Sequence, residues 1–189
     1  MSSFAGRRGK SDAPAEPAGD PVDRARQICL HQLEFAPRTR AELAATLARK
    51  GIDDEVAGEV LGRFTEVGMI DDALFAQMWV ASRHRGRGLA GRALSQELRR
   101  KGVADAEIAD ALGSLSAEDE LATARALVAR RVAATRQWPP EVRLRRLAGL
   151  LARKGYPAGT AFRVVREALA ADGEAVSALD ELVGSDGEP

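Results

Sequence analysis

The chain has 189 residues, and its 28 basic and 28 acidic side chains cancel to a formal net charge of zero. Aromatic residues account for only 4% while alanine, leucine and arginine abound, a composition that favours helices over a large β-sheet. No run approaches about 20 apolar residues, so neither a membrane span nor a membrane partner is expected. The single cysteine and two histidines exclude an intrachain disulfide and a typical zinc site. We therefore expect a cytoplasmic protein without a cofactor.

The first part of the chain predicts a polar leader followed by helices. Residues 1–21 lack the apolar core of a secretory signal and are expected to be disordered. A first helix is predicted over about 22–35, with Cys29 on its buried face. Thr39 and Glu42 have the spacing of a capping box and open a second helix.

A helix over about 72–84 is predicted next. Asp71 and Asp72 could pair for metal or acid–base chemistry, but their place before a helix favours capping. The predicted apolar stripe of this helix comprises Leu74, Phe75, Met78 and Trp79. At its end His84 is expected to be solvated.

A third long helix is predicted over about 117–137, where Pro139 and Pro140 end it. Trp138, just before the prolines, is expected to pack between helices rather than to stack on a base.

Three similar phrases mark an internal repeat: LARKGI at 47–52, LRRKGV at 98–103 and LARKGY at 151–156. In each, a leucine stripe is followed by cations and a glycine, which predicts a helix end and the start of another helix. The fixed spacing predicts an all-α protein of three tandem three-helix repeats with an elongated outline. The predicted boundaries are a leader at 1–21, repeats at 22–70, 71–115 and 116–170, and an acidic tail at 171–189.

The stretch HRGRGLAGR at 84–92 contains the glycine spacing of a dinucleotide-binding loop. Such a loop requires a strand before it, and none is predicted. A phosphate-binding loop would need Lys and Ser or Thr where Arg92 and Ala93 stand. The stretch is therefore interpreted as a glycine-rich joint between helices, and no nucleophile, base and orienting group come together elsewhere. A non-enzymatic binding protein is expected.

Charge is distributed unevenly along the chain. Residues 125–166 contain eleven bases and one acid, whereas residues 170–189 contain six acids and no base. The arginine clusters favour a polyanionic partner, bound electrostatically and with weak sequence specificity. The predicted contact residues are Arg83, Arg85, Arg87, Arg92, Arg99, Arg100, Lys101, Arg130, Arg131, Arg143, Arg145, Arg146, Arg153 and Lys154.

The second repeat resembles the signature of the RecX family of regulatory proteins. The similarity lies in GMIDDALFA at 68–76, in Arg83 and Gly88, and in ELRRKGV at 97–103, and the shared layout spans roughly residues 25–169. The matching residues that are expected to be mostly architectural are Gly68, Asp71, Asp72, Phe75, Gly88, Glu97, Leu98 and Gly102.

The resemblance implies tandem three-helix repeats forming an elongated, curved molecule that binds the RecA recombinase filament on single-stranded DNA. It further implies inhibition of strand exchange and ATP hydrolysis, and thereby modulation of recombination, DNA repair and the SOS response. We expect a monomer whose partners are that filament and single-stranded DNA, with weakly sequence-specific binding of duplex DNA as a further option. The alternative is an autonomous DNA-binding protein of the helix-turn-helix type, because three-helix units can resemble such domains.

Overall fold

The computed structural model describes residues 20–173, which contain nine α-helices, one short 3-10 helix and no strand. The α-helices are α1 (Pro21–Phe35), α2 (Arg40–Arg49), α3 (Asp54–Glu66), α4 (Asp72–Arg87), α5 (Gly91–Arg100), α6 (Asp105–Gly113), α7 (Ala117–Val132), α8 (Pro140–Arg153) and α9 (Ala158–Ala171). The all-α prediction is confirmed for this range, and no helix in it is long and apolar enough to cross a membrane. Residues 1–19 and 174–189, most of the predicted leader and tail, lie outside it.

The helices form three tandem units: α1–α3, α4–α6 and α7–α9. Helix–helix packing is concentrated inside each unit, and each unit has its own apolar core. Leu43, Leu94 and Leu147, which precede the three repeated phrases by four residues, are all buried. Contacts between units join the first to the second and the second to the third, the order expected of an elongated tandem repeat.

The repeated phrases end the second helix of each unit in the same way. The glycine adopts a left-handed conformation in all three, with φ of 72° at Gly51, 78° at Gly102 and 89° at Gly155. The next amide donates back to the phrase's leucine, for example from Ile52 to the Leu47 carbonyl at 3.1 Å. These bonds satisfy carbonyls that a helix end would otherwise leave free. The predicted helix stops are confirmed.

Two of these glycines also form the joints between units. A Cβ on Gly102 would lie 2.3 Å from the Cβ of Ala41 in α2, and one on Gly155 would lie 2.6 Å from the Ala93 amide nitrogen in α5. A Cβ on Gly51 would meet nothing within 4 Å. Each later unit therefore places its phrase against the start of the second helix of the preceding unit, where no side chain fits.

The lysines beside these glycines belong to the same joints. The Lys101 carbonyl accepts from the Thr39 hydroxyl at 2.6 Å, and the Lys154 carbonyl accepts from the Ala90 amide at 2.9 Å. The Lys101 ammonium donates to Glu42 at 2.7 Å, and that of Lys154 donates to the carbonyl of the last residue of α4. Both lysines, expected from the sequence to contact a partner, are thus engaged within the protein.

The predicted caps of α2 and α4 are present. The Thr39–Glu42 capping box is present, and the Asp71 carboxylate accepts from the Leu74 amide at 2.8 Å. Asp72 instead reaches across to the first unit, accepting from the Arg40 amide at 2.9 Å. The N-cap of α6 is Ala104, and Asp105 is the first residue of the helix.

The joint between the second and third units differs from the sequence prediction. Helix α4 continues to Arg87, and Gly88 ends it with a left-handed φ of 62°. His84 is 8% exposed, and its ring nitrogens lie 2.9 Å from the Leu89 carbonyl and 2.9 Å from the Thr123 hydroxyl of α7. The expected solvated histidine is therefore a buried link between units.

The predicted apolar stripe of α4 is also partly wrong. Leu74 and Met78 are 51% and 55% exposed, whereas Phe75 is buried together with Ala76 and Val80. The buried face is thus rotated by about one residue from the predicted one. The remaining family-signature residues occupy structural positions, with Gly68 at a left-handed turn after α3 and Leu98 fully buried.

Candidate nucleic-acid interface

Three neighbouring clefts cross the second and third units. Their volumes are about 510, 690 and 380 Å³. The first lies where α4 ends against α7 and α8, the second follows α7 and the outer face of α8, and the third lies between α5 and the end of α8. The first two share Arg131 and Leu150, and the last two share Arg153. Together they form one continuous tract.

Exposed arginines line the whole tract. We call these side chains the basic surface: Arg85, Arg87, Arg92, Arg130, Arg131, Arg145, Arg146 and Arg153. No aspartate or glutamate is among the described residues that line the three clefts. None of the eight arginines forms an ion pair within residues 20–173, whereas Arg125 and Arg136 outside the tract pair with Glu167 and Asp172. The basic surface therefore carries uncompensated positive charge.

Helix periodicity explains how α8 contributes to this surface. Leu144, Leu147 and Leu151 face the core of the third unit. Arg145 and Arg146 lie between these leucines in sequence and consequently point outward. The arginines of α4 and α7 lie in the last turns of their helices, where the helix dipole favours cations.

Arg143 is a correction to the predicted contact set. Its side chain is 3% exposed, too buried to reach a partner. Its guanidinium donates to Asp172, to the Thr135 hydroxyl at 3.0 Å and to the Val132 carbonyl at 3.3 Å. Hydrogen bonds from Arg136 and Arg143 lower the pKa of Asp172 to about 2, so this carboxylate stays ionised at neutral pH. Arg143 therefore links α8 to the end of α7 and to the residue after α9.

Replacing Arg143 by methionine is expected to destabilise the third unit by about 3 kcal/mol, because it removes one partner of a buried ion pair and leaves polar atoms unsatisfied. The matched control is Arg145→Met, two residues away and exposed, which is expected to change stability by less than about 0.5 kcal/mol. Urea unfolding followed by circular dichroism measures both. Equal stability of the two variants would contradict the structural role of Arg143.

Arg83 and Lys101 form a second internal cluster around Trp79. The Arg83 guanidinium lies 4.0 Å from the centroid of the Trp79 ring, and the Lys101 ammonium lies 4.5 Å from it. Glu97 accepts from the Trp79 indole at 2.9 Å and lies 3.8 Å from Arg83. These charges are balanced inside the protein, which removes Arg83 and Lys101 from the exposed set.

Two further candidates lie away from the tract. Arg99 donates to Asp105 at 2.7 Å, and Arg100 donates to the Gln96 carbonyl at 3.2 Å. Both are exposed at the end of α5 and line none of the three clefts. Nine of the fourteen predicted contact residues therefore line the tract: the eight arginines of the basic surface, and Lys154, whose ammonium is already bonded to a backbone carbonyl.

The sequence interpretation missed some residues at the tract. Glu120 of α7 accepts from the Gly91 amide at 2.5 Å and so fixes the start of α5 beside the third cleft. Trp138 lines the second cleft, 4.0 Å from the Arg146 guanidinium. The prolines that follow Trp138 indicated this position in the sequence, since they place Trp138 in a connector after a helix. No comparable local signal marks Glu120.

The arrangement can hold a polyanion. Guanidinium groups donate in a planar fork that matches phosphate oxygens, and several along one tract can follow successive phosphates. No group of three or more His, Cys, Asp or Glu side chains among residues 20–173 has the geometry of a metal site. The fold and the surface define a tandem of three-helix domains with one strongly basic face.

Comparisons with known proteins agree with this class. The family models for the first, second and third three-helix domains of RecX match residues 25–64, 71–112 and 118–165. The Regulatory protein RecX of Streptomyces coelicolor is 58% identical over 84% of this chain and 85% of its own. The Regulatory protein RecX of Thermobifida fusca is 56% identical over 89% of this chain and 90% of its own. The chain belongs to the RecX family of regulatory proteins.

Solved structures show the same fold. The crystal structure of RecX from Lactobacillus salivarius superposes with a TM-score of 0.71 at 17% identity, covering 78% of this chain and 96% of that chain. A second crystal structure of a regulatory protein RecX superposes with a TM-score of 0.70 at 22% identity, covering 78% of this chain and 72% of that chain. The predicted family and its three-domain layout are confirmed.

Proposed function

We propose that this chain binds the RecA–single-stranded DNA filament and inhibits ATP hydrolysis and strand exchange, without catalysing a reaction itself. The observation that supports this most is the basic surface, a tract free of carboxylates in a chain of the RecX family. A polyanion that extends over several phosphates is the ligand such a surface fits. Inhibition in the cytoplasm would then temper recombination and the SOS response.

The tandem architecture supports a filament as the target. The basic surface crosses the joint between the second and third units, so a ligand that follows it must be extended. The joints hold these units in one arrangement, which reduces the conformational entropy lost on binding. The first unit supplies no residue to the tract and is free to contact protein.

Co-sedimentation tests the binding step. We expect the chain to pellet with filaments of Streptomyces coelicolor RecA on single-stranded DNA, and to do so less as salt rises, because phosphate contacts release counterions. The controls contain RecA alone and single-stranded DNA alone. Absence of the chain from the filament pellet at low salt would contradict the proposal.

The alternative, an autonomous DNA-binding protein of the helix-turn-helix type, predicts a different result. Such a protein would bind one duplex sequence much more tightly than others without RecA. We expect duplex binding that is weak and nearly independent of sequence, because the arginines of the basic surface are spread over four helices of two units and fit backbone phosphates rather than the bases of one groove. Selection from a random duplex library separates the two.

A further inference from the structure

Trp138 and Tyr156 line the tract, but Tyr156 is buried and Trp138 is not. It is half-buried in the second cleft, among Arg131, Arg145 and Arg153. The Arg146 guanidinium lies over its ring, 4.0 Å from the centroid. The sequence pattern favoured packing between helices for this tryptophan. Its actual position combines an aromatic ring with several phosphate-binding groups.

The backbone holds Trp138 in place before any ligand arrives. Its amide donates to the Thr135 carbonyl at 3.0 Å, and the next residue, Pro139, has its φ fixed at −57° by its ring. Thr135 is itself buried and accepts a hydrogen bond from Arg143. A side chain on such a connector can be contacted with little further loss of entropy.

Trp79 provides an internal comparison. Its ring stacks on Phe75 with centroids 5.6 Å apart, two cations lie over it, and Glu97 accepts from its indole. The Trp138 indole N–H, in contrast, has no acceptor among residues 20–173. Trp79 is thus satisfied by its own unit, whereas Trp138 keeps a free donor in an open cleft.

We infer that Trp138, with Arg146, forms a stacking site for an unpaired nucleobase of single-stranded DNA. This inference rests on the proposed function, because it assumes that the basic surface binds the DNA strand. Every base offers a π-face to an aromatic ring, but in a duplex neighbouring base pairs cover these faces. The arginines then bind the phosphates of both single-stranded and duplex DNA, and Trp138 provides the preference for single-stranded DNA.

Fluorescence of a Trp79→Phe variant, in which Trp138 is the remaining tryptophan, tests the contact without RecA. We expect a short oligothymidylate to quench this fluorescence, and a duplex of equal length to leave it nearly unchanged although it binds. The difference between the wild type and Trp138→Phe gives the same signal in the native background. Bound oligothymidylate without quenching in either measurement would overturn the inference.

Affinities provide the second readout. Trp138→Ala is expected to weaken oligothymidylate binding about tenfold, to leave duplex affinity unchanged and to preserve the salt dependence, because the phosphate contacts remain. Trp138→Phe is expected to recover most of the loss. Arg131→Ala, the matched control in the same cleft, should weaken both ligands and lower the salt dependence.

Two outcomes would overturn the stacking site. One is an equal loss for single strand and duplex in Trp138→Ala with unchanged helicity, which would mean that the ring only shapes the cleft. The other is that the wild-type chain binds no oligothymidylate at low salt. Co-sedimentation with RecA filaments would still test the proposed function in that case, so the two failures are distinguishable.

Discussion

A double variant, Arg130→Glu with Arg131→Glu, is expected to lose inhibition of RecA, with affinity for its filament reduced at least about 100-fold. These arginines end α7, where the first two clefts meet, and Arg131 lines both. Glutamates there would both remove phosphate contacts and repel the DNA strand. Titration of RecA ATP hydrolysis with the variant measures the loss.

The first unit offers a control with the same change of charge. Arg49 and Lys50 are exposed at the end of α2 and line none of the three clefts. We expect Arg49→Glu with Lys50→Glu to keep most of the inhibition. Equal losses of inhibition in the two double variants would show that net charge alone controls binding. Retained inhibition in the Arg130→Glu, Arg131→Glu variant would show that the basic surface does not bind the filament.

Replacing Gly155 by alanine is expected to disrupt the joint between the second and third units. The left-handed backbone costs alanine about 1 kcal/mol, and the new Cβ would collide with the backbone of Ala93 in the preceding unit. We expect a total loss of about 3 kcal/mol, together with weaker inhibition because the first and third clefts lie across this joint. Thermal unfolding and limited proteolysis between the units measure the effect.

The Gly51→Ala variant separates the cost of the left-handed backbone from the cost of the collision between units. Gly51 has the same place in its phrase and a φ of 72°, but its Cβ would meet nothing within 4 Å. This variant is therefore expected to lose only about 1 kcal/mol and to inhibit RecA normally. If Gly155→Ala were no less stable than Gly51→Ala, the joint would not depend on close approach of the two units.

Local sequence signals were sufficient for the helix stops of the repeated phrases, but not for the ends of α4 and α7, which were predicted at about 84 and 137 and lie at Arg87 and Val132. The leucines of the repeated phrases, the cations and the glycine each act within one or two helical turns, so the same pattern has the same result in every unit. The Thr39–Glu42 capping box is equally local. The fold class followed from these signals because each unit buries its own core.

Contacts between units could not be predicted in the same way. Helical periodicity indicates which face is buried, but it does not distinguish the core of a unit from a joint with the next. His84 and Lys154 were expected at the surface for this reason, although both bond across a joint. The signal for Arg143 was present, since it lies four residues before Leu147 on the buried stripe, but its charge suggested exposure.

The rate of single-stranded-DNA-dependent ATP hydrolysis by Streptomyces coelicolor RecA, measured with increasing amounts of this chain, tests the central claim most directly. The account predicts that the rate falls at substoichiometric to equimolar ratios of chain to RecA. It also predicts that the Arg130→Glu, Arg131→Glu variant leaves the rate unchanged at the same ratios. An unchanged rate with the wild-type chain, together with its absence from the filament pellet, would contradict the account.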